Sequence, residues 1–269
     1  MKTVGVFDSG VGGLSVLRAL LAELPGTRFV YAADSAYAPY GERTAEDVSE
    51  RTHRITAHLR KEHGIDALVL ACNTATAHAI DALRQHHPDL PIIGVEPALK
   101  PAAALSRSGH IGVIATRGTL GSTRFAQLRD RLVAASPRPL WFSSQPCDGL
   151  ADAIERHDLP VIQALSERYI SELLQGSPES PAIDTLVLGC THYPFAGELL
   201  GHLSGTGVTL VDTGAPVARR TREVLGLPPA ASATAQAPLL LSSGQPAALA
   251  AAAQRWLGLH TEARSLLLA

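Results

Sequence analysis

Ile65-Asp66-Ala67-Leu68-Val69-Leu70-Ala71-Cys72 reads almost like Ile183-Asp184-Thr185-Leu186-Val187-Leu188-Gly189-Cys190, with six of eight positions identical. Each stretch is a nearly continuous run of Val, Ile and Leu, the pattern of a strand covered on both faces. Each closes on a cysteine followed by Asn, Thr or His, polar residues suited to a helix start. A second echo pairs Val4-Gly5-Val6-Phe7 with Ile111-Gly112-Val113-Ile114. The repeat predicts two similar α/β domains, each with a thiol at the carboxyl end of a strand, where open α/β sheets bind ligands. Domains facing one another bring both thiols into one cleft. Cysteine often only packs, but packing does not account for two cysteines at equivalent strand ends. Cys147 has no such context and reads as structural.

The rest of the chain agrees with this frame. Strands are expected at 3–7, 28–32, 66–71, 91–95, 110–115, 139–143, 184–189, 207–211 and 238–242. Amphipathic helices are expected at 13–23, 44–63, 74–87, 119–134, 159–175, 195–203, 214–226 and 246–257. Such alternation means α/β with mostly parallel sheet. Pro228-Pro229-Ala230-Ala231-Ser232-Ala233-Thr234 reads as a surface loop. The 269 residues allow one large domain or two smaller ones. A hydrophobic content of 46% against a net charge of −2 excludes disorder and gives no electrostatic footprint for nucleic acid or an anionic membrane. No apolar run is long enough to span a bilayer, and the run after Met1-Lys2 is too short for a signal peptide. Three separated cysteines make no disulfide framework and no Cys-x-x-Cys metal pair. The chain is therefore expected to be a cytoplasmic protein with reduced thiols.

Few cofactors suit these residues. A pyridoxal-phosphate enzyme needs a Schiff-base lysine, and the lysines are Lys2, Lys61 and Lys100 alone. Gly10-Val11-Gly12-Gly13 is followed by Ser15 where a dinucleotide fingerprint needs glycine, and no nucleotide P-loop or His-Glu-x-x-His is present. Neither an organic cofactor nor a metal is expected. Cys72-Asn73-Thr74 and Cys190-Thr191-His192, by contrast, each sit where a strand turns into a helix, and helix N-termini favour thiolate. A thiol so placed serves as nucleophile or general base. Two like groups suit inversion of a carbon stereocentre, with a base on one face, an acid on the other, and roles exchanged in reverse. Asp8 and Ser9 also lie at a strand end; Asp8 is either a substrate or Cys72 partner or a helix N-cap. His192 either tunes Cys190 or is a satisfied, partly buried histidine. Pro39-Tyr40-Gly41 is a turn whose amides suit a carboxylate.

These motifs together resemble the glutamate racemase family, cofactor-independent enzymes of the aspartate/glutamate racemase superfamily that make D-glutamate for peptidoglycan. The resemblance rests on Gly5-Val6-Phe7-Asp8-Ser9-Gly10-Val11-Gly12-Gly13, Pro39-Tyr40-Gly41, Ala71-Cys72-Asn73-Thr74-Ala75, Glu96-Pro97-Ala98-Leu99-Lys100-Pro101 and Gly189-Cys190-Thr191-His192-Tyr193-Pro194. It runs from residue 3 to about 226. It implies two doubly wound parallel-sheet domains related by pseudo-two-fold symmetry, with the active site between them. Residues 1–96 and 207–269 would form the first, 97–206 the second. It further implies that Cys72 serves the D-glutamate face and Cys190 the L-glutamate face, assisted by Asp8 and His192. Ser9, Pro39, Tyr40, Gly41, Asn73, Thr74, Thr116 and Thr191 would bind L-glutamate and D-glutamate, and Glu155 would lie near the second thiol. A homodimer is the implied assembly. Two stretches depart from the family pattern. Both prolines usual before the acid are replaced in Cys147-Asp148-Gly149-Leu150-Ala151-Asp152-Ala153-Ile154-Glu155, and Leu120-Gly121-Ser122-Thr123-Arg124-Phe125 lacks the usual basic residue and tyrosine. Some relatives carry an N-terminal extension that senses a cell-wall precursor; regulation of that kind is not expected here. Three rival readings stand beside it. One is a racemase for aspartate or another amino acid. Another is a regulatory protein that binds DNA gyrase, as some family members do. The third is a cysteine hydrolase, for which no second His or Asn motif is visible.

Overall fold

A computed structural model describes residues 1–175, 181–228 and 236–268. In chain order the first elements are β1 (Thr3–Asp8), α1 (Leu14–Glu23), β2 (Arg28–Ala33), α2 (Ala45–His63), β3 (Ala67–Leu70), α3 (Asn73–His86) and β4 (Ile92–Gly94). Then follow α4 (Leu99–Leu105), β5 (His110–Ala115), α5 (Arg117–Leu120), α6 (Thr123–Ala135), β6 (Trp141–Pro146), α7 (Leu150–Arg156), α8 (Leu159–Leu174), β7 (Thr185–Leu188), α9 (Gly197–Ser204) and β8 (Thr209–Val211). The chain ends with α10 (Gly214–Val224), β9 (Leu239–Ser242), α11 (Pro246–Leu257) and β10 (Ala263–Ser265). Contacts divide it into two units, Met1–Val95 with Gly214–Ala269, and Glu96–Thr213. The first holds a six-stranded sheet ordered β10-β9-β2-β1-β3-β4, the second a four-stranded sheet ordered β6-β5-β7-β8. Every pairing in both is parallel. The protein is thus α/β with two doubly wound parallel sheets.

The sequence repeat is a repeat of register. Gly5 of β1 lies opposite Leu68 of β3, and Gly112 of β5 lies opposite Leu186 of β7. Both glycines are needed for close approach: a β-carbon on Gly5 would meet Ile65 at 3.0 Å, and one on Gly112 would meet Leu173 at 3.0 Å and Ile183 at 3.3 Å. Ile65 and Ile183 are the matching first residues of the two repeated stretches. The matching aspartates clamp the start of each sheet. Asp66 accepts from Lys2 Nζ and the Thr3 amide at 2.9 and 2.8 Å. Asp184 accepts from Ser106 Oγ at 2.6 Å and from the amides of Arg107 and Ser108 at 2.7 Å each. Beyond these, period two assigns the faces. Leu186 and Leu188 join one core cluster with Leu150, Ile154 and Leu173, while Val187 joins another with Leu99, Val113 and Phe125. In the first unit Phe7, Leu68 and Leu70 pack with Ile55 and Leu59 of α2 and Ile80 and Leu83 of α3.

Some expectations need correction. The helix expected at 119–134 is two helices, because Ser122 caps α6 by accepting from the Phe125 amide at 3.1 Å and Gly121 closes α5. The expected return to the first domain at 207 falls instead at Gly214, because Thr209–Val211 pairs with β7. The strand expected at 139–143 runs over Trp141–Pro146, and its proline is tolerated on an edge strand. Helices α4 and α7 and strand β10 were not anticipated; each is seven residues or fewer. Beyond Pro228, the expected loop at 228–234 lies outside the described residues.

The Asp184 clamp gives a pH-dependent prediction. Burial alone pushes its carboxyl pKa up, but the Ser106, Ser108, Thr185 and Arg107 donors outweigh that and hold it well below 3.8. A depressed native pKa stabilises the fold above the unfolded value and loses that stabilisation as pH falls beneath it. Asp184→Asn is expected to cost about 2 kcal/mol near pH 7. The gap to wild type in urea midpoint should narrow below pH 3.8; a constant gap contradicts the clamp.

Candidate active site

In the first unit the candidate residues gather at the carboxyl ends of β1 and β3, neighbours at the point where strand order reverses. Cys72 is the N-cap of α3: its extended backbone (φ −126°, ψ 121°) ends the strand, and its Sγ accepts from the Ala75 amide at 3.5 Å. Cys72 Sγ lies 3.8 Å from Ser9 Oγ. The site therefore opens on a helix N-terminus, which favours negative charge on sulfur. Asp8 is fully buried and accepts from the Gly10 amide at 2.8 Å. Gly13 lets the α1 turn close on it, since a β-carbon there would stand 2.6 Å from Asp8 Cβ and 3.0 Å from Ala71 Cβ. Asn73 is 5% exposed; its Nδ2 donates to the Val95 carbonyl at 3.4 Å, and its Oδ1 has no hydrogen-bond partner among the described residues. Thr74 is buried on the same first turn.

Pro39 precedes a single 3-10 turn, Tyr40–Glu42, and gives its opening amides no side-chain cap. Tyr40 is buried, and its hydroxyl donates to Asp34 Oδ2 at 2.6 Å. Burial, then the Asp34 carboxylate, pushes the phenol far above its ordinary pKa. The hydroxyl is thus committed to Asp34, which leaves the amides of the Pro39-Tyr40-Gly41 turn as its groups for a ligand.

In the second unit Cys190 follows β7, and the two groups expected near it form a chain with it. Cys190 Sγ is 3.7 Å from His192 Nδ1, and His192 Nε2 is 2.7 Å from Glu155 Oε2. Burial disfavours a charged imidazole, but the bonds to Cys190 and Glu155 overcome it and lift the His192 pKa well above 6.5. Glu155 sits in the last turn of α7. In the first turn of that helix Asp152 stands where the family resemblance expects proline, and an acid suits that end of the dipole. The altered loop thus still delivers its carboxylate to His192. Thr191 is buried beside them. Thr116 is placed differently: its hydroxyl caps α5, accepting from the Thr119 amide at 3.3 Å and donating to Thr119 Oγ1 at 3.0 Å. Cys147 is 1% exposed, and burial, then the Cys190 charge, pushes its thiol pKa up. It acts as a packing residue whose carbonyl accepts from the Tyr193 hydroxyl at 3.4 Å.

Asp34, Arg51 and Ser243 are functional neighbours that no local sequence motif marks. Asp34 directly follows β2, beside Asp8 at the end of β1, and this parallel of two strand-end aspartates is the signal that could find it. Arg51 falls among the buried positions Val48, Thr52, Ile55 and Leu59 of α2, a charge on an apolar face.

The pattern of the Asp/Glu/Hydantoin racemase family matches residues 5–221. Glutamate racemase of Pseudomonas aeruginosa is 49% identical over 246 residues, 91% of this chain and 85% of that protein. Among solved structures, a glutamate racemase isoform of Bacillus anthracis superposes with a TM-score of 0.86 at 30% identity, covering 99% of this chain and 98% of that one. Escherichia coli glutamate racemase, in complex with L-glutamate and the activator UDP-MurNAc-ala, superposes with a TM-score of 0.83 at 32% identity, covering 100% and 99%. The chain belongs to the Asp/Glu/Hydantoin racemase family, whose members are isomerases that work without a cofactor.

The His192 chain is testable in the free protein. Replacing Glu155 by Gln removes one of the charges that lifts the imidazole, so its pKa is expected to fall. Asp at 155 should restore part of it. NMR of the His192 ring across pH reads this, and an unmoved titration would show that Glu155 does not govern the imidazole.

Proposed function

We propose that this chain is a glutamate racemase, interconverting L-glutamate and D-glutamate by proton transfer at the α carbon between two thiols, Cys72 and Cys190. One observation carries the reading: each sheet presents a cysteine two residues after its third strand, Cys72 as the N-cap of α3 and Cys190 two residues ahead of His192, which precedes the 3-10 turn Tyr193–Ala196. Its support from relatives is the 49% identity to the Pseudomonas aeruginosa enzyme and the likeness to an Escherichia coli enzyme bound to L-glutamate.

The chemistry follows from the groups present. A thiolate takes the α proton, and the electron pair left on carbon spreads into the adjoining carboxylate. The other sulfur, as thiol, gives a proton to the opposite face. Cys190 takes the proton from L-glutamate, with the His192–Glu155 pair holding the sulfur ready for either role. Cys72 takes it from D-glutamate, with the α3 amides, Ser9 and Asp8 as its surroundings. Hydroxyls of Ser9, Thr74 and Thr191, the Asn73 amide and the backbone of Pro39-Tyr40-Gly41 would hold the substrate carboxylates, and Asp8 its ammonium. Preorganised donors of this kind stabilise charge that develops only in the transition state. The reading makes the chain a cytoplasmic homodimer that supplies D-glutamate for peptidoglycan, with no nucleic-acid or membrane partner. Homodimers are the commonest assembly of soluble oligomers.

Proton NMR in D₂O with circular dichroism tests this on purified protein. L-Glutamate should lose its α-proton signal as optical activity decays. Cys72→Ala and Cys190→Ala should each lower turnover in both directions by about a thousandfold or more, as expected for loss of an acid–base group. Full activity in either variant would overturn the two-thiol mechanism, and exchange with aspartate but not glutamate would overturn the substrate.

A further inference from the structure

Asp34 is fully buried at the end of β2, yet four donors converge on its carboxylate. Oδ2 accepts from the Tyr40 hydroxyl at 2.6 Å and Arg51 Nε at 2.9 Å. Oδ1 accepts from Arg51 Nη2 at 2.6 Å and Ser243 Oγ at 2.7 Å. The Asp34 amide donates to the Asp8 carbonyl at 3.0 Å, which ties this hub to β1. Ser243 Oγ also accepts from the Ala36 amide at 3.2 Å, and the Ser243 amide donates to the Ala33 carbonyl at 3.0 Å. The Arg51 guanidinium stacks 3.8 Å from the Tyr37 ring. The loop from Asp34 to Tyr40 is thus held at both ends and in its middle.

A buried ion pair is a poor source of stability, since apolar residues of similar volume usually serve as well or better. What such a cluster does supply is geometry. Four bonds to one carboxylate fix the Tyr40 ring in the core cluster that also contains Cys72, edge-on to Phe7 at 6.1 Å. Ser243 lies beyond the 5–221 span matched by the family pattern, so this support comes from the last part of the chain.

We propose that Asp34, Arg51 and Ser243 are positioning residues: they lock Tyr40, and through it the Pro39-Tyr40-Gly41 turn, against Cys72. The effect on glutamate kinetics rests on the function proposed above; the effect on Cys72 does not. Ser243→Ala removes one donor from Asp34 and should loosen the turn while sparing the fold. Alkylation by iodoacetamide, read by mass spectrometry, should speed up about fivefold at Cys72, the equivalent of one lost hydrogen bond. Cys190, in the other unit, serves as internal control and should not change. Asp34→Asn should act more strongly, and Tyr40→Phe should add nothing to it. With glutamate, Ser243→Ala should raise KM by a similar factor and leave kcat within about twofold. Unchanged alkylation of Cys72 in folded Ser243→Ala overturns the proposal, and so does a parallel rise at Cys190, which would mean general loosening. Should wild type fail to exchange the α proton of glutamate, the substrate assignment falls and the Cys72 comparison still decides the positioning role.

Discussion

Each sheet depends on one parallel pairing, first strand against third. Gly5 and Gly112 let Ile65 and Ile183 pack so close that a β-carbon at either glycine would stand only 3.0 and 3.3 Å from them. That packing, with the Asp66 and Asp184 clamps, sets how far along its neighbour the third strand runs. The cysteine two residues beyond the strand is placed as a consequence. A slip of one residue would exchange the side chains that fill the two cores and carry the thiol away from its neighbours. The two aspartates of the repeat, easily taken for catalytic groups, are part of this frame and lie at the opposite end of the strands from the cysteines.

The same frame explains what the sequence could disclose. The strands β3 and β7 are legible because a strand buried on both faces is apolar throughout, and their likeness reveals two sheets. Cys72, Cys190, Asp8 and His192 are legible because strand ends are recognisable. The break between α5 and α6 is harder: Gly121-Ser122 interrupts an otherwise helical pattern by a cap, and a cap declares itself only once the chain has turned. Glu155 came into view through family resemblance alone, since its helix has seven residues and its bond to His192 joins positions 37 apart. The Asp34 hub is the least legible. Its partners stand 6, 17 and 209 positions away, and no local pattern encodes a meeting of that kind.

The two thiols differ in their surroundings. Cys190 has an imidazole and a carboxylate behind it, whereas Cys72 has a hydroxyl and helix amides. One environment stores a proton close at hand; the other stabilises charge through fixed dipoles. The two arrangements act by different physics: one sets an imidazole and a carboxylate behind the sulfur, the other sets fixed backbone dipoles beside it.

That difference meets a thermodynamic constraint. Mirror-image substrates have equal free energy in water, so the ratio kcat/KM must be the same from either side for any catalyst that interconverts them. An asymmetric pair of bases cannot make one direction more efficient at low substrate concentration. Its inequality can surface only as a split within that fixed ratio: the enantiomer whose complex is the more stable must show both the lower KM and the proportionately lower kcat. Under the proposed two-thiol racemisation, the Cys190–His192–Glu155 chain would apportion time between the two bound complexes, and protonating or deprotonating it would redistribute enzyme between them while leaving the balance of products untouched.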